Sequence, residues 1–230
     1  VLAVLEVVSA TVIRFTSVRL ANPILTKSTI FADQSRMIRA VFFSDSVRGL
    51  VFDAELGWKY RANWRDATTV RNAAGLRGEH DYSPRPKPGT LRVSAFGDSF
   101  VYGNETLWTE SWPAQLERLD PSIEVLNYGV GGYGVDQAYL RFLREGRDYA
   151  PSIVLICFTT ADLRRLVNVY RRFISPLELP LVKPRFELDS VGGLRLLPTP
   201  LKSVEEYRTL LKNPALARAF GRSDQWYEPL

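Results

Sequence analysis

The chain has 230 residues, 46% hydrophobic and 24% charged, a balance that excludes a disordered polymer and supplies enough apolar material for one well-filled core. Its formal charge of +5 is spread along the sequence, with local pairs at Arg164-Arg165 and Arg171-Arg172; with no long basic run, nucleic acid is not an expected partner. One cysteine, Cys157, and one histidine, His80, exclude an intramolecular disulfide and a Cys/His zinc cluster, so neither a metal nor any other cofactor is expected.

Val1 to Ile13 is apolar apart from Glu6, Ser9 and Thr11, and ends at Arg14. A membrane-spanning helix needs about 20 apolar residues. Residues 1–20 therefore read either as the remnant of an N-terminal membrane anchor or as an amphipathic surface helix. From Ala21 to Pro88 the aromatics Trp58, Tyr60 and Trp64 are scattered without a sustained period, and the stretch closes on Ser83-Pro84-Arg85-Pro86-Lys87-Pro88. This predicts an extended N-terminal arm over 21–88 whose aromatics pack against the rest of the chain.

A regular pattern begins after the proline tract, and residues 89–230 read as an α/β domain. Strand Leu91 to Phe96 is followed by helix Ser111 to Leu119, strand Ile123 to Asn127, helix Val135 to Tyr149, strand Ser152 to Phe158 and a helical stretch Leu163 to Phe173. Such alternation predicts a parallel sheet covered on both faces. Past Phe173 it stops: residues 185–197 read as a hairpin inserted around Gly192-Gly193, and Ser203 to Phe220 as a last helical segment. Three strands are few where about four to six are usual, so the sheet is expected to be incomplete at the C-terminal side.

The chemistry concentrates in two blocks. Phe96-Gly97-Asp98-Ser99-Phe100-Val101-Tyr102-Gly103 sets a small hydroxyl where an apolar strand ends, which makes Ser99 the candidate nucleophile; the bland reading is a helix-capping serine. Asn127-Tyr128-Gly129-Val130-Gly131-Gly132-Tyr133-Gly134-Val135-Asp136-Gln137 comes after the next strand, and its glycines allow backbone amides to approach a developing negative charge. Asp98 is expected to fix its loop by local hydrogen bonds, and Asp162 to cap the helix from Leu163. Cys157, inside Ile153-Val154-Leu155-Ile156-Cys157-Phe158, reads as a buried inert thiol, and His80 as a solvated loop histidine. The four arginines read as a solvated helix face, or as a pocket mouth favouring an acidic substrate. Tyr102, Trp108 and Tyr133 read as core or rim packing, with a carbohydrate-stacking surface as the functional option.

Through these two blocks the chain resembles the SGNH (GDSL-type) hydrolase family from about Leu91 to Ala161. Upstream, Glu55-Leu56-Gly57-Trp58-Lys59-Tyr60 and Asn72-Ala73-Ala74-Gly75-Leu76-Arg77-Gly78 resemble the lead-in of its membrane-anchored members. The resemblance implies a three-layer α/β/α, flavodoxin-like domain. Ser99 would attack an ester carbonyl, the amides of Ser99 and Gly132 would hold the oxyanion, and Asp98 and Asp162 would support them. Two departures matter. Where the family has Gly-x-Asn-Asp, this chain reads Thr159-Thr160-Ala161-Asp162, so Ala161 replaces an oxyanion donor and the Thr160 hydroxyl is the substitute at hand. The family's Asp-x-x-His base has no counterpart before Leu230 and is expected beyond it. The expected function is a serine ester hydrolase that removes a small acyl group, such as acetyl, from a glycan or lipid, anchored to the membrane with its domain in the cell envelope. The alternatives are an envelope O-acyltransferase with a sugar hydroxyl as acceptor and a non-catalytic SGNH-like binding protein.

Overall fold

The segment Leu-Arg-Val-Ser-Ala-Phe at 91–96 is buried from its second residue onward, which is the signature of a strand with neighbours on both edges. In the computed structural model, which describes residues 36–42, 49–175 and 178–227, it forms the centre of the one parallel sheet among those residues. Before it come two antiparallel pairs, β1 (Leu50–Asp53) with β2 (Gly57–Tyr60) and β3 (Trp64–Arg65) with β4 (Val70–Arg71). The α/β portion then runs β5 (Leu91–Phe96), α1 (Ser99–Tyr102), α2 (Trp112–Leu119), β6 (Ile123–Asn127), α3 (Val135–Arg141), β7 (Ile153–Ile156) and α4 (Thr160–Arg165). A hairpin of β8 (Arg185–Leu188) and β9 (Leu194–Leu197) precedes α5 (Glu206–Lys212) and α6 (Pro214–Gly221).

The fold is thus mixed α/β, with a three-stranded parallel sheet of order β6-β5-β7 flanked by helices. Val93 stands opposite Val125 on one side and Ile153 on the other, so the carboxyl ends of all three strands lie together. Among the described residues no strand pairs with the far edge of β7, and Ile153, Val154 and Leu155 are 36–41% exposed. The predicted membrane anchor lies outside the described residues, among which no helix is long and apolar enough to cross a membrane.

Several elements differ from the sequence reading. Within the described part of 21–88 the chain is not simply extended: it holds a helical segment at 36–42 and two hairpins. Asp53 turns the first by accepting the amides of Glu55 (3.0 Å) and Leu56 (2.9 Å). Helix Val135 to Tyr149 is α-helical only to Arg141 and continues as a π-helical turn at Phe142–Gly146 and a 3-10 turn at Arg147–Tyr149. Gly146 lies so close to the Phe96 ring that a Cβ there would collide with it. The stretch Leu163 to Phe173 leaves the helix after Arg165 because Tyr170 pairs with Val182. Ser203 to Phe220 is split at Asn213, whose side chain caps Ala215 ahead of α6.

The arm is bound to the domain by its aromatics and by Arg92. Trp58 and Tyr60 share one apolar cluster with Tyr102, Val130 and Tyr133 from the loops after β5 and β6. Arg92, fully buried, donates to the carbonyls of Ser83 and Tyr149 (both 2.7 Å) and pairs with Glu124, tying the proline tract to the sheet. A second buried charge, Lys183, meets Asp136 and also donates to the carbonyls of Arg165 (3.0 Å), Asn168 (3.2 Å) and Pro184 (2.8 Å). Four acceptors satisfy the ammonium, which is what burial of such a charge demands.

Burial alone would raise the Asp53 carboxyl, but the hydrogen bond from Arg144 (2.8 Å) and the two turn amides outweigh it and hold its pKa at about 2, below the usual 3.8. A carboxyl depressed in the folded state stabilises fully above its unfolded pKa and loses that contribution as pH falls through the folded one. Asp53→Asn is therefore expected to cost about 2 kcal/mol at about pH 7 and to flatten the acid limb of stability between about pH 4 and 2. Urea denaturation across that range checks it; an acid limb unchanged by the substitution would contradict the assignment.

Candidate functional site

Ser99 occupies the first position of α1, directly after β5. Asp98 caps that turn, its Oδ1 accepting from the Phe100 amide at 2.9 Å, as the local-bonding expectation for this residue required. The helix ends after one turn at Gly103, in left-handed conformation, and the amides of Gly103 (2.8 Å) and Asn104 (3.1 Å) both donate to the Ser99 carbonyl. The chain thus folds back over its own start. Ser99 is half-buried, and among the described residues its hydroxyl meets no hydrogen-bond partner.

The loop after β6 is laid against this turn. Asn127 donates from Nδ2 to the Val101 carbonyl (3.0 Å) and accepts from the Gly129 amide (3.0 Å), while the Val130 amide donates to the Gly97 carbonyl (3.0 Å). Gly129 is required by contact: a Cβ there would collide with the Tyr102 amide nitrogen. Gly132 is required by conformation, at φ +82°, and the nearest heavy atom to a Cβ placed on it is in Trp58, 3.6 Å away. Trp58 in turn donates to the Gly131 carbonyl (3.1 Å), and the Gly131 amide donates to the Tyr60 hydroxyl (3.3 Å), so the arm sets the posture of the glycine loop.

After β7, the cap of α4 is Thr159 and not Asp162. The helix begins three residues before Leu163, and Asp162 takes the third position of a capping box, accepting from the Thr159 amide (2.7 Å) and hydroxyl (3.2 Å). Thr160 and Ala161 are exposed, and among the described residues no hydrogen bond joins the Thr160 hydroxyl to Ser99 or Gly132.

Arg165 brings the three loops together. One guanidinium nitrogen, Nη1, reaches Asp98 Oδ2 (3.3 Å), the Tyr133 carbonyl (2.9 Å) and Asp162 Oδ1. Asp98, Tyr133 and Asp162 belong to the loops after β5, β6 and β7 respectively. Burial pushes the Asp162 carboxyl up, the nearby Asp98 charge adds to this, and the Thr159 amide and Arg165 work against it. Behind this cluster the Gly134 amide donates to Gln137 (3.1 Å), whose own amide donates to the Leu56 carbonyl (2.7 Å).

The remaining candidates fall elsewhere. His80 is 54% exposed, 3.8 Å from Glu117 of α2, with its ring against Tyr82; it sits on the flank of α2 and β6, apart from the Ser99 loops. Tyr102 and Tyr133 are buried, which removes the stacking-surface option for both, and the Tyr133 hydroxyl donates to the Trp58 carbonyl (2.6 Å). Of the arginines only Arg164 is exposed, lying over Trp226. Arg171 and Arg172 are buried, the former against Glu178 (2.6 Å), so the solvated-face reading fails for them. Cys157 is half-buried and not fully enclosed, because β7 is exposed; burial and then the Asp98 charge push its thiol up, which disfavours the reactive thiolate. Among the described residues no cluster of three or more His, Cys, Asp or Glu side chains is placed to hold a metal ion. Sequence reading missed Arg165 as the cation shared by the loops, and missed Tyr60 and Asn104 beside the glycines. The Asp162/Arg165 spacing of three residues on a helix was the available signal for the first.

No protein-family model matches the chain, and no match is found among curated proteins.

Replacing Arg165 by methionine leaves Asp98 and Asp162 buried without their shared cation. The expected loss is about 3 kcal/mol in denaturant unfolding, together with a further rise of the Asp162 pKa. A loss below about 1 kcal/mol, the ordinary worth of an exposed pair, would show that the cluster does not hold the loops.

Proposed function

We propose that this chain is a serine ester hydrolase of SGNH (GDSL) type, its parallel sheet belonging to a three-layer α/β/α architecture. The observation that carries the reading is the meeting of three loops at the carboxyl end of that sheet, with an unengaged Ser99 hydroxyl on the first and the glycine turn of Gly132 packed beside it. Carboxyl ends of parallel strands are where α/β folds place their ligands.

Ser99 Oγ attacks the ester carbonyl carbon, and the carbonyl electrons move onto oxygen, where the amides of Ser99 and Gly132 receive the charge. Collapse of the adduct expels the alcohol and leaves an acyl-enzyme, which water hydrolyses. Asp98 and Asp162 position the loops through Arg165 and do not touch the reacting atoms. The Ser99 proton needs an acceptor, and the reading requires that a general base come from outside the described residues. A small acyl group on a glycan or lipid is the proposed substrate, and the cell envelope the proposed location, with residues 1–20 as anchor.

A second reading, a non-catalytic binding protein of the same fold, is favoured by the placement of His80 against Glu117 and by Ala161 at the position of a family oxyanion donor. The intact protein decides between them. Under the hydrolase reading a fluorophosphonate labels Ser99, and Ser99→Ala lowers turnover of short-chain esters by about a thousandfold or more. Absence of both labelling and turnover in the wild-type protein would leave the binding reading.

A further inference from the structure

The arm and the turn after α1 enclose a cavity of about 320 Å³ that the hydrolase reading leaves unused, since neither Ser99 nor Gly132 lines it. We propose that this cavity binds a single sugar residue, recognised through its hydroxyl groups. The inference is independent of the role given to Ser99.

The β3–β4 hairpin supplies Asp66, Thr68 and Arg71 to the walls, and the turn after α1 supplies Tyr102, Asn104 and Glu105. The two sides are fixed to one another. Arg77 donates from Nη2 to the carbonyls of Thr68 (3.4 Å) and Thr106 (2.7 Å), and the Trp108 amide donates to the same Thr68 carbonyl (3.0 Å). The volume lies near the lower end of the roughly 300–1,000 Å³ usual for ligand pockets, which suits one small ring.

The charged groups on the walls argue against an ionic ligand. Buried Arg71 donates from Nη1 to the carbonyls of Gly49 (2.9 Å) and Arg61 (3.2 Å) and lies over the Tyr60 ring, 4.6 Å from its centroid. The cavity sets two carboxylates against this one guanidinium, which disfavours an anion. Asp66 in turn accepts from the Trp64 indole (2.8 Å), the Thr68 amide (2.9 Å) and hydroxyl (3.1 Å), and the Thr69 amide (2.8 Å). Only Glu105 is left for a cation, and one exposed carboxylate does not make a cation site.

What stays unspent on the walls is a mixture of acceptors and donors. The Glu105 carboxylate has no hydrogen bond or ion pair among the described residues, and the Thr68 hydroxyl, whose proton goes to Asp66, keeps lone pairs to accept with. Asn104 Nδ2 has no acceptor among the described residues. Apart from the approach of Thr69, the enclosed Tyr102 hydroxyl has no hydrogen-bond partner among them either, and an enclosed polar group in that state calls for a ligand or an ordered water. Two acceptors and two donors match a ligand whose every group both donates and accepts, which is the property of a hydroxyl. A carboxylate takes the protons of two neighbouring hydroxyls at once, so Glu105 is the expected anchor and a ring bearing vicinal hydroxyls the expected shape.

The test is a titration of the intact protein by saturation-transfer NMR with the methyl glycosides of glucose, galactose, mannose and N-acetylglucosamine, and with inorganic phosphate as the anionic probe. At least one glycoside is expected to bind with a millimolar Kd, and phosphate neither to bind nor to compete. Glu105→Ala is expected to weaken the binding by about tenfold or more, and Glu105→Gln and Asn104→Ala by about fivefold each. Both residues are exposed, so these changes leave the fold in place, which the thermal midpoint verifies. The trisaccharide of the sugar that binds separates the sources: equal affinity assigns the cavity to a free monosaccharide, and tighter binding to the end of a glycan chain. Failure of all four glycosides, displacement by phosphate, or glycoside binding that survives both Glu105→Ala and Asn104→Ala overturns the assignment. If the loss occurs instead in Ser99→Ala, the sugar sits at Ser99 and the hydrolase reading stands without this site. Absence of ester turnover in the wild-type protein would remove the hydrolase reading and leave the sugar site untouched.

Discussion

The end of the sheet that carries Ser99 depends on a single, largely enclosed cation. Arg165 is the point at which three loops separated in sequence become one surface, because Asp98, Tyr133 and Asp162 share its guanidinium in addition to their local hydrogen bonds. A backbone contact between two glycine-rich loops is soft; a guanidinium held by two carboxylates and a carbonyl is not. The arrangement turns electrostatic cost into geometry, since separating any of the loops would leave a charge in a poorly solvated space.

That clamp is seated on a second layer of support. Lys183 donates to the Arg165 carbonyl and the Asp136 carboxylate, so the segment before β8 is fastened beneath α3 and α4. From the opposite side the arm enters through Trp58 and Tyr60, which grip consecutive polar groups of the glycine loop, and Tyr60 lies against Tyr102 with ring centroids 4.3 Å apart. The residues before the sheet are therefore a wall of the site and not a tether to it.

Much of this was legible in the sequence. Alternating apolar strands and helical periods located β5, β6, β7 and their crossovers, and the paired glycines at 192 and 193 located the β8–β9 hairpin, because these signals are local. The Ser99 loop and the glycine loop were legible for the same reason, each being a run of residues with conformational demands of its own. What escaped depends on partners far along the chain. Arg165 looks like any helix-surface arginine until Asp98, 67 residues earlier, is folded against it. Asn104 looks like a loop residue until Tyr60, 44 residues earlier, fixes its amide. The arm defeated periodicity because its strands are two to four residues long, too short for alternation to register. The exposure of β7 escaped because an apolar run says only that a strand wants cover.

The order of the strands carries a consequence for how the molecule is made. β5, the centre of the sheet, is synthesised before either neighbour, and each later strand adds to an edge already present. Asp98 leaves the ribosome 67 residues ahead of Arg165, and Lys183 emerges later still. During that interval Asp98 can cap its own turn through Oδ1, but its Oδ2 has water and not Arg165 for a partner. Assembly of this end of the sheet is in this way timed by chain elongation: its fastening waits for α4 and for Lys183, and a nascent chain that stalls before α4 holds the Ser99 turn without its clamp.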